Sequence, residues 1–289
     1  MRKLRAFWAL LLGGVSLGSF ADRSYAETWP DPCAQISPPF LQSVEHGSSL
    51  IAHAGGEIEG HTYTNSLDAL RLNYERGFRV FELDFRRTKD GAIVAVHDWA
   101  HWQKQGSFKS LPTEAQFLAT PLWGHYEPIN LERLESWLLG HPDTLLIADI
   151  KEDRLAILNE LRAATSVPER WIPEVYTEAE IIRARQLGFL EPILMTDWNW
   201  PSQTTIKTLV ENYKIRWVGF PWIRFEVSTL DSWLEAHGVR TLVHTVNGLS
   251  RRESLRRRGA EIFYTESPTL VAEPGYASVC DWIGERGSP

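Results

Sequence analysis

The sequence predicts an α/β protein, a (β/α)8 barrel of the TIM-barrel type with a hairpin excursion after the second strand. Short apolar runs alternate with amphipathic segments, and polar N-cap residues and glycines punctuate the amphipathic segments. This alternation is typical of a parallel sheet that is covered by helices. An open, doubly wound sheet is the alternative, but no glycine-rich dinucleotide fingerprint follows the first apolar run.

The apolar runs have the length of buried parallel strands. The eight strand candidates are Leu50–His53, Val80–Phe85, Leu145–Ile150, Ile172–Tyr176, Pro192–Thr196, Trp217–Phe220, Thr241–Val246 and Ile262–Thr265.

Helix signals fill the intervals between these runs. Thr177-x-x-Glu180 and Ser250-x-x-Glu253 are capping-box patterns, which predict that a helix begins at each of them. Residues 86–144 form a longer interval. In it, Thr88-Lys89-Asp90-Gly91 and the run Ala92–His97 predict a hairpin, followed by an aromatic-rich loop and a helix near Leu131–Leu139.

The first residues have the pattern of a secretory signal peptide. A basic start precedes the apolar stretch Ala6–Phe20, and Ser24-Tyr25-Ala26 provides small residues for cleavage after Ala26. We therefore predict a signal peptide at 1–26, a proline-rich arm at 27–48, a barrel domain at 49–270 and a tail at 271–289. The mature protein would be secreted or periplasmic; an uncleaved anchor helix is the alternative.

Export permits disulfide bonds, and the chain has two cysteines. Cys33 and Cys280 lie near the two ends of the predicted mature chain, and chain ends are often close in a compact domain. We expect a Cys33–Cys280 bridge, with two free buried thiols as the alternative.

The charge balance argues against nucleic-acid binding. The 289-residue chain has a net charge of −7 and no long basic stripe. Without residues 1–26, which hold four basic side chains and Asp22, the net charge is −10. No stable protein partner is inferred from the sequence.

Ionisable residues occur at the ends of the predicted strands, where barrel enzymes place their sites. In Glu82-x-Asp84 both carboxylates lie on one strand face, and Asp149-x-Lys151 repeats this spacing on the next strand. Three such carboxylates predict a site for Mg²⁺ or Ca²⁺, which prefer oxygen ligands. The alternative is a salt-bridge network that uses Lys151, Arg86 and Arg87.

Two histidines, His53 and His97, also end extended runs. They are candidates for a general acid and a general base, because histidine exchanges protons near neutral pH. A hydrogen-bonded core histidine is the alternative for each. His244 lies on a predicted strand, but the sequence does not fix which way it faces.

Tryptophans cluster after strand ends. Of the thirteen in the chain, Trp99 and Trp102 follow His97, and Trp198 and Trp200 follow the fifth strand. Trp99 and Trp198 are candidates for substrate contact or for a transient contact with a membrane surface. Ordinary loop packing is the alternative.

Several of these motifs occur together in one known order. They are Ile51-Ala52-His53-Ala54-Gly55-Gly56, Thr64-Asn65-Ser66, Phe81-Glu82-Leu83-Asp84, Thr88-Lys89-Asp90-Gly91, Val96-His97-Asp98, Asp149-Ile150-Lys151, Thr245-Val246-Asn247 and Tyr264-Thr265-Glu266-Ser267-Pro268. Over about residues 49–270 the chain resembles the superfamily of glycerophosphodiester phosphodiesterases and phosphatidylinositol-specific phospholipases C.

The resemblance implies a role for each matching residue. His53 and His97 would be the acid/base pair, Glu82 and Asp84 would hold a divalent cation, and Lys151 would contact the phosphate.

The chain departs from the usual motifs at three positions. Ala54 stands where the family has an arginine, Thr64 where it has a metal-binding glutamate, and Asp149 where it has a glutamate. An aspartate at that third position is similar to the sphingomyelinase D branch. Asn65 remains, and its amide oxygen is a further candidate metal ligand. Loss of the arginine leaves the phosphate charge to Lys151 and the cation.

Together these features predict an exported, metal-dependent phosphodiesterase for a glycerophosphodiester or phospholipid-type substrate. A non-catalytic barrel that binds a phospholipid headgroup or a sugar phosphate is the alternative. Activity on a phosphodiester with and without a chelator distinguishes the two.

Overall fold

The computed structural model describes residues 50–106, 109–198 and 200–267. The predicted signal peptide, the arm, the tail and the expected Cys33–Cys280 bridge lie outside these residues. In the described part of the chain, no helix is long and apolar enough to cross a membrane.

Eight parallel strands of the described chain close into a barrel, as the alternation of apolar runs predicted. The barrel closes because β1 pairs with both β2 and β9. The strands are β1 (Leu50–Ala52), β2 (Val80–Arg87), β4 (Leu145–Ile150), β5 (Trp171–Val175), β6 (Ile193–Met195), β7 (Trp217–Pro221), β8 (Arg240–His244) and β9 (Ile262–Thr265).

The predicted hairpin excursion is present. Strand β3 (Ile93–Ala95) pairs antiparallel with the last residues of β2, and Phe85 lies opposite Ala95. The segment that follows β3 was predicted as a loop, but it holds two short helices. The second follows Thr113, whose side chain caps the helix in a capping box that Gln116 completes. The sequence analysis missed this capping box.

Helices surround the barrel between its strands. They are α1 (Leu67–Glu75), α2 (Trp99–Gly106), α3 (Glu114–Leu118), α4 (Leu131–Gly140), α5 (Arg154–Ala164), α6 (Glu178–Gln186), α7 (Gln203–Tyr213), α8 (Trp222–Val227), α9 (Asp231–Ala236) and α10 (Leu249–Arg256). Helix α6 begins after Thr177 as predicted. The capping box predicted at Ser250 was wrong: α10 begins at Leu249 after the extended residue Gly248, so Ser250 lies inside the helix.

Alternation along the strands decides which side chains enter the barrel. Ile51, Val80, Leu145 and Ile147 belong to one buried cluster of residues that face the barrel interior. Intervening residues such as Phe81 and Leu83 belong to the larger cluster under the helices. Residues two positions beyond the inward apolar side chains therefore point into the C-terminal mouth of the barrel.

A buried asparagine holds the loop that follows β1. The side-chain amide of Asn73, on α1, donates to the carbonyls of Gly55 and Ala69 at 2.8 and 3.0 Å. A Cβ atom at Gly56 would lie 2.6 Å from the Asn73 amide nitrogen, so glycine is required for this approach. Asn73 thus fixes the segment that begins with His53.

Replacing Asn73 with Ala should destabilise the protein through this loop. The substitution removes the side-chain donor of the buried Gly55 carbonyl, and such a loss costs about 1–3 kcal/mol. We expect the free energy of unfolding, measured by urea denaturation, to fall by about 2 kcal/mol or more. The control Asn212→Ala, at an exposed position on α7, should change it by less than about 0.5 kcal/mol. Equal stability of the two variants would contradict this role of Asn73.

Candidate active site

Strand register brings the predicted site residues to one level at the barrel mouth. Asp84 of β2 lies directly beside Asp149 of β4. Ala52 pairs with Phe81 on one side and with Thr265 on the other, so the next residue, His53, lies between Glu82 and Glu266. The position of each group follows from strand pairing alone.

The three predicted carboxylates form a buried cluster. Glu82, Asp84 and Asp149 each offer an oxygen atom, and these atoms lie within 4.8 Å of one another. The Lys151 ammonium lies 2.7 Å from Asp84 Oδ1 and also contacts Asp149 Oδ2. Lys151 thus neutralises part of the charge, as the salt-bridge interpretation predicted for this residue, but it leaves Glu82 out of the pairing. Arg86 and Arg87, which that interpretation also included, pair with Glu152 and Glu160 instead.

Glu82 and Asp84 also organise the neighbouring loops. The backbone N–H of Ala54 donates to Glu82 Oε2 at 2.8 Å. The Asn65 amide donates to Asp84 Oδ2 at 2.8 Å, and Asn65 Oδ1 accepts from the Asp84 backbone N–H at 3.0 Å. Asn65, a candidate metal ligand, therefore uses its oxygen to bind β2 in this structure and orients Asp84.

The two carboxylates of β2 differ in their proton affinity. Burial, together with the charge of Asp84, raises the pKa of Glu82 well above 4.5. Burial also raises the pKa of Asp84, but the Lys151 ammonium and the two imidazoles outweigh it and hold this pKa below its usual value. Without a cation, the cluster therefore favours the protonated form of Glu82 and the ionised form of Asp84.

Both predicted acid/base histidines line the same cavity and are held through Nδ1. His97 Nδ1 lies 3.1 Å from Asp98 Oδ2. His53 Nδ1 lies 3.5 Å from Glu266 Oε1 and 3.3 Å from Thr245 Oγ1. A carboxylate on Nδ1 fixes the tautomer and leaves Nε2 for proton transfer. His53 Nε2 lies 3.8 Å from Glu82 Oε2.

Tyr63 lies between these histidines, and the sequence reading missed it. Its ring contacts His53 and His97 edge-on, with centroid distances of 4.8 and 4.9 Å. Burial, with Glu266 and the β2 carboxylates, raises the pKa of Tyr63 to about 12, so the hydroxyl remains a hydrogen-bond donor. The position of Tyr63 next to the motif Thr64-Asn65 could have indicated that it lies near the site. Its contact with both imidazoles depends on the conformation of the loop, which the sequence does not show.

A second group of buried acids was also missed. Glu174 on β5 accepts a hydrogen bond from the Tyr264 hydroxyl at 2.8 Å. Asp197, just after β6, has a buried Oδ1 without a hydrogen-bond partner in the described chain. Burial raises the pKa of both. The sequence could have indicated Glu174, because it lies inside the apolar run Ile172–Val175. It is two residues after Ile172, so its side chain also faces the barrel interior.

His244, whose facing the sequence left open, points into the site. It lies two residues after the inward-facing Leu242, and its buried Nε2 has no hydrogen-bond partner among the described residues. Burial, reinforced by His53 and Lys151, lowers its pKa to about 3, so this imidazole is neutral. His244 therefore adds a third, uncharged imidazole to the cavity.

The two tryptophan candidates for substrate contact lie apart from this cavity. Trp99 packs edge-on against Trp102 and Phe117 in the excursion, so it belongs to a small core there. Trp198 is 53% exposed at the rim, and its ring contacts Tyr176 and the guanidinium of Arg154.

The central cavity, of about 190 Å³, collects these groups in one place. Its lining residues are His53, Tyr63, Glu82, His97, Asp149, Lys151, Glu174, Met195, Asp197, His244, Thr245 and Tyr264. Two imidazoles, an ammonium and a carboxylate cluster can together bind an anion, hold a cation and move protons.

The chain matches a known family over most of the barrel. The model of the glycerophosphoryl diester phosphodiesterase family matches residues 54–215. A search of curated protein sequences finds no match to the chain.

Solved structures with the same fold are distant in sequence from this chain. A glycerophosphodiester phosphodiesterase from Thermotoga maritima is 19% identical, with a TM-score of 0.64 over 78% of this chain and 97% of that one. A glycerophosphodiester phosphodiesterase from Parabacteroides distasonis is 17% identical, with a TM-score of 0.60 over 77% of this chain and 94% of that one. An Oleispira antarctica phosphodiesterase has the same values, and its structure holds the product sn-glycerol-3-phosphate.

The family match covers more than half of the chain, and the fold and the motif order agree with it. The chain belongs to the glycerophosphoryl diester phosphodiesterase family and is a phosphoric diester hydrolase.

Proposed function

We propose that this chain is an exported, divalent-metal-dependent enzyme that hydrolyses glycerophosphodiesters or phospholipid-type phosphodiesters. The observation that carries the proposal is the cavity itself, in which two anchored imidazoles lie beside a buried cluster of three carboxylates. Hydrolysis of a phosphodiester needs proton transfer at two oxygens and positive charge at the phosphoryl group, and this set of residues can provide both.

The residues present fit a divalent cation. Glu82, Asp84 and Asp149 are hard oxygen ligands that suit Mg²⁺ or Ca²⁺, and Glu82 Oε1 is buried with no hydrogen-bond partner among the described residues. A cation held by these residues would supply positive charge that polarises a phosphoryl oxygen. Thr64, in place of a glutamate, offers no carboxylate to this set, so the chain relies on the three that it has.

Lys151 is the second source of positive charge. It lines the cavity, and the charges of Asp84 and Asp149 raise its pKa more than burial lowers it, so it stays an ammonium. The family's arginine is replaced by Ala54, whose N–H binds Glu82. Lys151 therefore takes over electrostatic binding of the phosphate.

The histidines divide the proton transfers. Asp98 orients His97 through Nδ1, which leaves Nε2 of this imidazole to protonate the leaving oxygen. His53, beside Glu266, takes the proton of the attacking oxygen, either of water or of a substrate hydroxyl. Attack by a substrate hydroxyl would give a cyclic phosphate, which phosphorus NMR of the products distinguishes from direct hydrolysis.

The substrate class is supported from two sides. A structural neighbour holds sn-glycerol-3-phosphate, a product of glycerophosphodiester hydrolysis. Trp198 and Trp200, which are 53% and 56% exposed, give the rim an amphipathic surface suited to transient contact with a membrane.

Removing either imidazole should stop turnover without unfolding the protein. For His53→Ala and His97→Ala we expect kcat on a glycerophosphodiester to fall by about 10²–10⁴-fold, because each loses one proton-transfer group. The control His125→Ala, at an exposed position, should keep wild-type kcat. EDTA should abolish wild-type activity, and added Mg²⁺ or Ca²⁺ should restore it.

Wild-type turnover in either histidine variant would contradict this mechanism. Binding of glycerophosphodiesters without any hydrolysis, with either cation present, would instead favour the non-catalytic barrel.

The export proposal rests on the N-terminal pattern. Mass spectrometry of protein recovered from the producing cells should show a chain that begins at Glu27. If Cys33 and Cys280 are joined, the unreduced protein should be lighter than the reduced protein by two hydrogens. Full-length protein retained in the cytoplasm would contradict export, and two free thiols in the exported chain would contradict the bridge.

A further inference from the structure

The Lys151 ammonium bridges two of the three carboxylates that would hold a divalent cation. Its nitrogen lies 2.7 Å from Asp84 Oδ1 and also contacts Asp149 Oδ2. The ligand oxygens of Glu82, Asp84 and Asp149 lie within 4.8 Å of one another. Lys151 therefore already provides the carboxylate cluster with a monovalent cation that belongs to the chain itself.

The other donors to these carboxylates are held in place by their surroundings. They are the Asn65 amide on Asp84 Oδ2 at 2.8 Å, the Ala54 N–H on Glu82 Oε2 at 2.8 Å, and the Tyr176 hydroxyl on Asp149 Oδ1 at 3.3 Å. Asn65 is fully buried and is bound at both ends of its amide. The Arg154 guanidinium lies 4.2 Å from the ring centre of Tyr176.

A cation that binds all three carboxylates must therefore share an oxygen with one of these donors or displace it. Of the carboxylate oxygens in the cluster, Glu82 Oε1 alone has neither a hydrogen-bond donor nor an ammonium in contact with it among the described residues. One oxygen is not enough for a stable metal site, since a divalent cation takes several oxygen ligands.

Lys151 is the donor that can leave. Its ammonium is carried by a flexible stem, its side chain is 20% exposed, and it lines the central cavity of about 190 Å³. Metal–oxygen distances are about 2.0–2.6 Å, so a divalent cation on Asp84 Oδ1 would lie within about 5 Å of an ammonium on the same oxygen. Two cations this close repel each other strongly in a buried site.

Charge decides which cations can displace Lys151. Na⁺ brings no more charge than the ammonium it would replace, and the ammonium has a high effective concentration because it is covalently attached. A divalent cation adds a further unit of charge to a cluster of three carboxylates, so the exchange becomes favourable.

We propose that Lys151 is a displaceable internal cation, which keeps Na⁺ out of the carboxylate cluster and leaves it only when a divalent cation binds. The ammonium that is released stays in the same cavity and turns to the phosphate. This assignment rests on the proposed function, in which the cluster holds a divalent cation and Lys151 binds the phosphate.

Mn²⁺ binding, measured by electron paramagnetic resonance, tests the displacement without any turnover. Lys151→Met removes the competing ammonium, so we expect the Kd for Mn²⁺ to fall by at least about 10-fold. The control Lys207→Met, on α7 where the ammonium lies 5.0 Å from the ring centre of Trp233, should leave the Kd unchanged. An unchanged or raised Kd in Lys151→Met would overturn the proposal.

Competition by Na⁺ separates displacement from simple repulsion between Lys151 and the metal. When NaCl replaces tetramethylammonium chloride at the same ionic strength, the Kd for Mn²⁺ should rise severalfold in Lys151→Met, because Na⁺ can enter the vacated cluster. In the wild type it should stay the same. An equal effect of Na⁺ on both proteins, or no effect on the variant, would contradict the exclusion of Na⁺.

A crystal structure of the wild type covers a Lys151→Met variant that fails to fold. In crystals grown with MnCl₂ and inorganic phosphate, anomalous scattering should place Mn²⁺ on oxygens of all three carboxylates. Lys151 Nζ should then lie more than about 4 Å from Asp84 Oδ1 and contact the phosphate. Mn²⁺ bound to the cluster while Nζ still bridges both aspartates would overturn the proposal.

These experiments distinguish failure of the displacement from failure of the proposed function. If neither the wild type nor Lys151→Met binds Mn²⁺, the metal dependence of the proposed function fails and the displacement fails with it. If both bind Mn²⁺ with the same Kd, only the displacement fails. If Mn²⁺ displaces Lys151 but the loaded enzyme hydrolyses no phosphodiester, the displacement stands and the proposed function fails.

Discussion

The structure of the site depends on the burial of two carboxylates on one face of β2. Glu82 holds the loop after β1 through the Ala54 N–H, and Asp84 holds the loop before α1 through Asn65. These loops carry His53 and Tyr63, so the carboxylates position the acid/base groups as well as a candidate cation site. Burying a charge is costly unless the charge is paired. The hydrogen bonds and ion pairs that compensate these carboxylates therefore also fix the loops at the mouth of the barrel.

Compensation of that charge is incomplete in the described chain. Lys151 serves Asp84 and Asp149, whereas Glu82 has a backbone N–H and a histidine nearby. Glu174 and Asp197 add two more acids to the same cavity, and their pKa values are raised as well. A site with this excess of buried acid is suited to bind a divalent cation.

The barrel, its hairpin and the convergence of Glu82, Asp84 and Asp149 followed from the sequence, because period-two alternation and strand order determine which residues reach the mouth. Tyr63 did not follow, since it lies on a loop with a positive φ of 56°, where no periodicity applies. The sequence did not distinguish Trp99 from Trp102, because both come shortly after His97. Packing of the excursion buries Trp102 in the small core and leaves Trp99 partly buried against it.

The pH dependence of stability in metal-free protein tests the central claim most directly. As pH rises above about 4.5, Glu82 ionises in the unfolded chain before it does in the folded chain, so the free energy of unfolding should fall. Glu82 contributes at most about 1.4 kcal/mol per pH unit to this slope, and the raised pKa values of Glu174 and Asp197 add to it. Glu82→Gln should flatten this slope and weaken Mn²⁺ binding by at least about 100-fold, whereas Glu253→Gln, at an exposed position on α10, should do neither. The same slope and the same Mn²⁺ affinity in wild type and Glu82→Gln would contradict the account.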